Sequence, residues 1–318
     1  MKKLFTILAV AATLVSCAKD ETIAVNKGEA IQFGNAFVEN STRAAADPSL
    51  GTTDNPFNAF NVWGTVGGVA IYTGDVVTKG TGDVWSCANN KQYWISGASY
   101  KFAAVAGVDV SSVTPDSTSK LPSEVFVDAT GANVDLLYAE PVSRTGGDGQ
   151  GAVAFNFKHL LSKVKFTVNN SSTDATGYSF MIDNIKVNGS KTGTIVLGDK
   201  SWESKGDAAD YEITDITVGT GVASVESNKE LLLIPGSFTV NFDIVYLCNN
   251  VEIARHNSAT NTVTLVGGNA YNLTIGVNVG EEITFSAEQI DWDNDHDGKE
   301  NTEAGDTDGD NQVNTPLQ

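Results

Sequence analysis

The chain has 318 residues, 41% of them hydrophobic, which is enough for two domains of ordinary size and excludes wholesale disorder. Its 39 acidic residues against 20 Lys and Arg leave a net charge of -19. That balance excludes nucleic-acid binding and peripheral adsorption to anionic lipid, both of which need basic patches.

The chain opens with Lys2 and Lys3, an apolar-to-small run over residues 4–15, and then Leu14-Val15-Ser16-Cys17. This is the pattern of a secretory signal over residues 1–16 with a cysteine at the cleavage point. Small side chains suit the peptidase subsites, and the Cys17 thiolate is the nucleophile that would accept a diacylglyceryl chain. The apolar run is too short to span a bilayer as a permanent helix. The expected anchor is therefore lipid, each buried methylene adding roughly 0.8 kcal/mol. Cys87 and Cys248 lie far apart in sequence and read as small buried hydrophobes rather than a disulfide.

Beyond the signal, short runs rich in β-branched and aromatic residues recur between clusters of Gly, Asn, Asp, Ser and Thr. They predict strands at residues 31–33, 69–72, 100–105, 164–168, 192–197, 231–235 and 238–245. Many alternate with period two, so that one face packs and the other is wet. The one helix candidate, residues 157–162, is too short to stand. An all-β fold of two tandem β-sandwiches is expected. The glycine-rich polar stretch at 145–151 marks their boundary, and 171–177 is a loop inside the second. The expected organisation is a lipidated segment 17–43, one sandwich over 44–151, another over 152–292, and an acidic tail at 293–318.

The histidines argue against an enzyme. There are three, and any Ser-His-Asp or metal-histidine site would have to use one. His159 is in phase with Phe155 and Phe157 on an apolar strand face, which is the place of a core histidine. His256 sits in a polar turn, Ala254-Arg255-His256-Asn257-Ser258, and His296 in the acidic tail. No nucleophile elbow, phosphate loop, Cys-x-x-Cys or His-Glu-x-x-His pattern is present. In the tail, Asp293, Asp295, Asp297 and Gly298 have the 1, 3, 5, 6 spacing of a calcium loop. Ala304 stands where the bidentate acid belongs, with Glu303 one place early. Calcium is the one cofactor the sequence raises, and a solvated acidic tail is the competing reading.

Several segments together carry a family resemblance. They are the lipobox; a short strand with Ile31, Phe33 and Phe37 in phase; Ser41-Thr42-Arg43-Ala44; the mid-chain segment Phe155-Asn156-Phe157-Lys158-His159-Leu160-Leu161-Ser162-Lys163-Val164-Lys165-Phe166-Thr167-Val168; and the closing Ile290-Asp291-Trp292. The chain resembles the fimbrillin family, the Mfa-like pilins and accessory subunits of type V pili in Bacteroidota. Ala18-Lys19-Asp20-Glu21 resembles the lipoprotein export signal of the same bacteria, which implies the outer face of the outer membrane. The resemblance implies two transthyretin-like β-sandwich domains in tandem. It also implies an arginine-specific cut between Arg43 and Ala44, loss of the strand at 31–38, and filling of the vacated groove by an extended segment of another subunit. Arg43 read by itself is equally a surface arginine in a linker.

Two functions stay open at this point. One is a fimbrial subunit assembled by strand exchange, with other fimbrial subunits as partners. The other is a stand-alone surface lipoprotein that binds glycans through Trp63, Trp85, Tyr93, Trp94 and Trp202. The competing reading of those rings is that they pack the cores.

Overall fold

Alternating β-branched and aromatic residues favour paired strands, and the described residues are built mainly of them. The computed structural model describes residues 28–38, 58–80, 85–130, 135–147, 149–172, 177–203, 205–257, 260–279, 283–290 and 292. Among the described residues the first half contributes β1 (Phe33–Val38), β2 (Ala59–Val66), β3 (Val69–Lys79), β4 (Trp85–Ser86), β5 (Ser99–Ala106), β6 (Val113–Pro115), β7 (Pro122–Asp128), β8 (Leu137–Thr145) and β9 (Val153–His159). The second contributes β10 (Ser162–Asn170), β11 (Tyr178–Ser190), β12 (Thr192–Val196), β13 (Ser201–Glu203), β14 (Ala208–Glu212), β15 (Ile216–Val218) and β16 (Ser224–Glu226). It closes with β17 (Leu231–Leu233), β18 (Gly236–Cys248), β19 (Val251–Asn257), β20 (Asn261–Leu265), β21 (Ala270–Val277) and β22 (Thr284–Ile290). The described helical structure is a single 3-10 turn at Val110–Ser112, capped by the Asp109 carboxylate, which accepts from the Ser111 amide. The helix candidate at 157–162 is instead the end of β9 and the start of β10.

Seven strands close a barrel in the order β1-β4-β3-β2-β5-β8-β9. A barrel is a sandwich whose edge strands have joined, and β1 makes the join here, parallel to β9 and antiparallel to β4. Its interior is aromatic, with Phe33, Phe60, Tyr72, Trp85, Phe102 and Phe155 all buried in one cluster. The β2–β3 hairpin turns on Gly67 and Gly68, whose φ values of 55° and 86° suit a two-residue turn that few other residues could make. Asn249 and Asn250, at φ 49° and 64°, make the same kind of turn between β18 and β19.

The second half packs two sheets face to face. One has the order β16-β10-β21-β22 with β17 also on β10, and the other β14-β11-β18-β19 with β15 on β11 and β20 on β18. On β10, Val164, Phe166 and Val168 enter the core between them. Lys165 and Thr167 point the other way yet are also buried: Lys165 Nζ meets Glu226 at 2.6 Å, and the Thr167 hydroxyl donates to Asn272 at 2.8 Å.

The expected boundary at 151/152 does not separate the halves. The glycine-rich stretch joins β8 to β9, and β9 is a barrel strand, so the barrel runs on through His159. Glycine-rich loops join strands of one sheet as readily as they join domains. The halves also share a sheet of order β13-β12-β7-β6. β7 lies antiparallel to β12, from Thr192↔Asp128 to Val196↔Glu124. A third core under this sheet gathers Trp63, Val113, Val125 and Val127 with Leu161, Ile195, Leu232 and Trp292.

On the outer face of the β11–β18 sheet, Arg255 Nη1 lies 2.7 Å from Asp183 and 3.5 Å from Asp243. The guanidinium hydrogen bond holds the Asp183 carboxyl below its ordinary range, while burial and then the Asp183 charge push Asp215 up. A carboxyl held low in the folded state adds stability above the unfolded value, near pH 4, and loses it as pH falls through the folded one. Arg255→Gln should therefore lower the thermal midpoint at pH 7 and lower it less at pH 3. An equal loss at both pH values would show that the Arg255–Asp183 pair carries no pH-dependent stability.

Candidate functional site

The seam closed by β1 is the feature of the fold that the sequence singled out. The segment is paired on both sides. Toward β4, the Trp94 amide donates to the Glu29 carbonyl and the Ile31 amide to the Gln92 carbonyl, each at 2.9 Å, and Phe33 pairs with Trp85. Toward β9, the Val153 amide donates to the Gln32 carbonyl at 2.8 Å, and Phe33, Gly34, Phe37 and Val38 pair with Val153, Ala154, Asn156 and Phe157. A bulge falls between Gly34 and Phe37. Gly34 permits the approach, because a Cβ there would sit 2.7 Å from that of Ala152.

Phe33 is the anchor of this strand. It is 1% exposed, stacks on Phe155 with centroids 5.9 Å apart, and meets Tyr72, Phe102 and Phe60 edge-on at 5.6, 6.1 and 6.3 Å. Offset and edge-to-face pairs add to the burial of each ring. Ile31 is buried beside it, as the phase of Ile31 and Phe33 implied. The seam is thus a strand held by main-chain bonds on both edges and by one aromatic plug.

At the other end of the chain, β22 is the edge of its sheet, paired with β21. Phe285 stacks on Phe242 at 6.1 Å, and Ile283 and Ala287 pack on the same core. Trp292 follows, 6% exposed, its ring stacked on His159 with centroids 3.9 Å apart. Lys163 Nζ stands 5.5 Å over that ring and donates to the Trp292 carbonyl. His159 is 7% exposed, with Nδ1 at 2.8 and 3.0 Å from the two Asp135 oxygens. A carboxylate only accepts, so Nδ1 is the donor. Nε2 is buried with no hydrogen-bond partner among the described residues. His159 is a core histidine, and its partners Asp135 and Trp292 were hidden by their distance along the chain.

The other singled-out residues fall as follows. Cys17, Lys19, Asp20, Glu21, Arg43, Ala44, Asp293, Asp295 and Asp297 lie outside the described residues. Trp63, Trp85 and Trp94 are buried in the cores and present no face to a sugar, while Trp202 is half-buried against the third core and Tyr93 is half-buried. His256 sits on the edge strand β19, edge-on to Tyr246, rather than in a turn. Cys87 is buried and Cys248 half-buried, both free thiols, with burial raising the Cys87 pKa.

These features define a class: an all-β protein in which a barrel closed by its own first strand shares a sheet with a two-sheet sandwich. A family model described as fimbrillin-like matches residues 42–292, and the chain belongs to that family. No curated protein matches it. Among solved structures, a fimbrial protein from Bacteroides vulgatus ATCC 8482 has a TM-score of 0.60 at 15% identity, with 82% of this chain and 99% of that one covered. A candidate cell adhesion protein from Bacteroides ovatus ATCC 8483 has a TM-score of 0.52 at 16% identity, with coverage of 84% and 98%. At these identities the likeness is one of fold.

Proposed function

We propose that the chain is a structural or adhesive fimbrial subunit, exported as a lipoprotein and joined to other subunits by protease-triggered strand exchange. Cys17 takes the lipid, Lys19, Asp20 and Glu21 direct it to the outer face of the outer membrane, and the cut falls between Arg43 and Ala44. The observation that carries this reading is the place of β1: it precedes Arg43 in the chain, yet it closes the barrel and plugs its aromatic core. A cut after Arg43 frees that strand. Its departure would unpair the facing edges of β4 and β9 and uncover Phe60, Tyr72, Phe102 and Phe155, a state that water strongly disfavours. An extended segment of another subunit relieves it by adding a strand. Membership of the fimbrillin-like family and the fimbrial description of the Bacteroides vulgatus structure support the same reading.

The test is mass spectrometry of the protein from outer membranes, together with unboiled gels before and after an arginine-specific protease. The expected result is a mature N-terminus at Ala44 and a ladder of polymers. A chain that keeps lipidated Cys17, resists the protease at Arg43 and stays monomeric would overturn assembly by strand exchange.

A further inference from the structure

We propose that a cleft on the outer face of the β11–β18–β19 sheet binds a neutral, hydroxyl-rich ligand, a one- or two-sugar segment of a glycan. The cleft has a volume of about 450 Å³ and is lined by Asn184, Lys186, Asn241, Phe242, Asp243 and Asn257. The cleft is shallow, open to solvent and lined mainly by polar groups, so a ligand there keeps one face wet. Three amides, a carboxylate and an ammonium converge there from three adjacent strands, which is a mixed set of donors and acceptors suited to vicinal hydroxyls.

The backbone is specialised at this spot. The register of β11 against β18 shifts between Asp183 and Lys186, and Asn184 within that bulge has φ 51°. Bulges re-aim side chains, and asparagine is the residue other than glycine that takes the left-handed region most readily. Ile185 goes into the core while Asn184 is exposed, its amide donating to Asp243 at 2.9 Å. Asn241 is held as well, accepting from the Thr260 hydroxyl at 3.0 Å. Side chains already oriented lose less freedom on binding.

The charges select the ligand class. Lys186 faces Asp210 at 3.7 Å, and Arg255 is shared among Asp183, Asp243 and Glu252. Three carboxylates share the one Arg255 guanidinium, so the wall carries an acidic excess that repels phosphate and acidic sugars. Among the described residues no group of three metal-ligating side chains is present. What remains for this surface is hydrogen bonding to neutral hydroxyls.

The site names a ligand class for the adhesive part of the proposed function, and it belongs to a different sheet from β1, so the two can fail separately. The experiment probes the full chain on an array of neutral and acidic oligosaccharides. Hits are then measured by saturation-transfer NMR with the free sugar, for the wild type, Asn184→Gly and Asn241→Ala. Glycine accepts φ 51° without strain, so Asn184→Gly deletes the amide and keeps the fold. Binding to a neutral glycan that each variant weakens by about tenfold, with an unchanged thermal midpoint, is the expected result. Binding to no glycan, binding to acidic glycans alone, or binding untouched by both variants would overturn the site. Polymer ladders scored on the same variants report on strand exchange independently.

Discussion

Replacing Phe33 by alanine will destabilise the chain by about 3–5 kcal/mol, the cost of a fully buried phenylalanine whose cavity cannot collapse. Four rings surround it, and they belong to strands fixed in the barrel by their own ladders, so none can move in to fill the space. Beyond the main-chain bonds of Glu29, Ile31 and Gln32, β1 has few other holds: its pairing with β4 is confined to Phe33↔Trp85, and its pairing with β9 is interrupted by a bulge. Amide exchange at 30–38 should therefore speed up more than the global loss accounts for. The urea midpoint and hydrogen exchange measure the two effects. A loss below about 1 kcal/mol would mean that β1 is not held by its plug, and the groove argument would lose its energetic basis.

Replacing Trp292 by alanine is expected to cost a similar amount, about 3–5 kcal/mol, and to loosen the end of the chain. The ring stacks on the His159 imidazole, has the Lys163 ammonium 5.5 Å from its centroid, and belongs to the core shared by both halves. Without it, solvent gains a path to His159 and Lys163, and β22 loses the anchor just beyond its last pair, Ala270↔Ile290. Trp292→Phe should recover part of the loss, because a smaller ring still stacks. Equal losses for the alanine and phenylalanine variants would show that neither ring volume nor stacking on His159 carries the contribution, and unchanged exchange across β22 would remove the anchoring role.

How much of this was legible depended on how local the signal was. The run Val164-Lys165-Phe166-Thr167-Val168 announced β10 because its period is written in neighbouring residues. The same run misleads about Lys165 and Thr167, which alternate onto the far face and are buried there by Glu226 and Asn272, partners on other strands. Ile31 and Phe33 were legible as one face of a strand. That the strand would lie parallel to β9 was not, since a parallel pairing across more than a hundred residues leaves no local mark. The misplaced boundary has the same origin: a glycine-rich loop looks alike whether it ends a domain or turns a sheet. The bulge at Asn184 was invisible because only the register against β18 reveals it. The processing and lipid-anchor residues were read from motifs alone, and they lie outside the described residues.

The shared sheet has a consequence for a chain that emerges N-terminus first, as any newly made chain does. When β7 emerges, its partner β12 is still to come, and Val125 and Val127 face a core whose other wall is Ile195, Leu232 and Trp292. The barrel strands through β9 can pair early, but that flank stays raw until nearly the last described residue is out. Completion of the first half therefore waits for the arrival of the second. The interval is one in which a holding chaperone has apolar strand to grip, and a chain cut short before Trp292 would never bring it to a close.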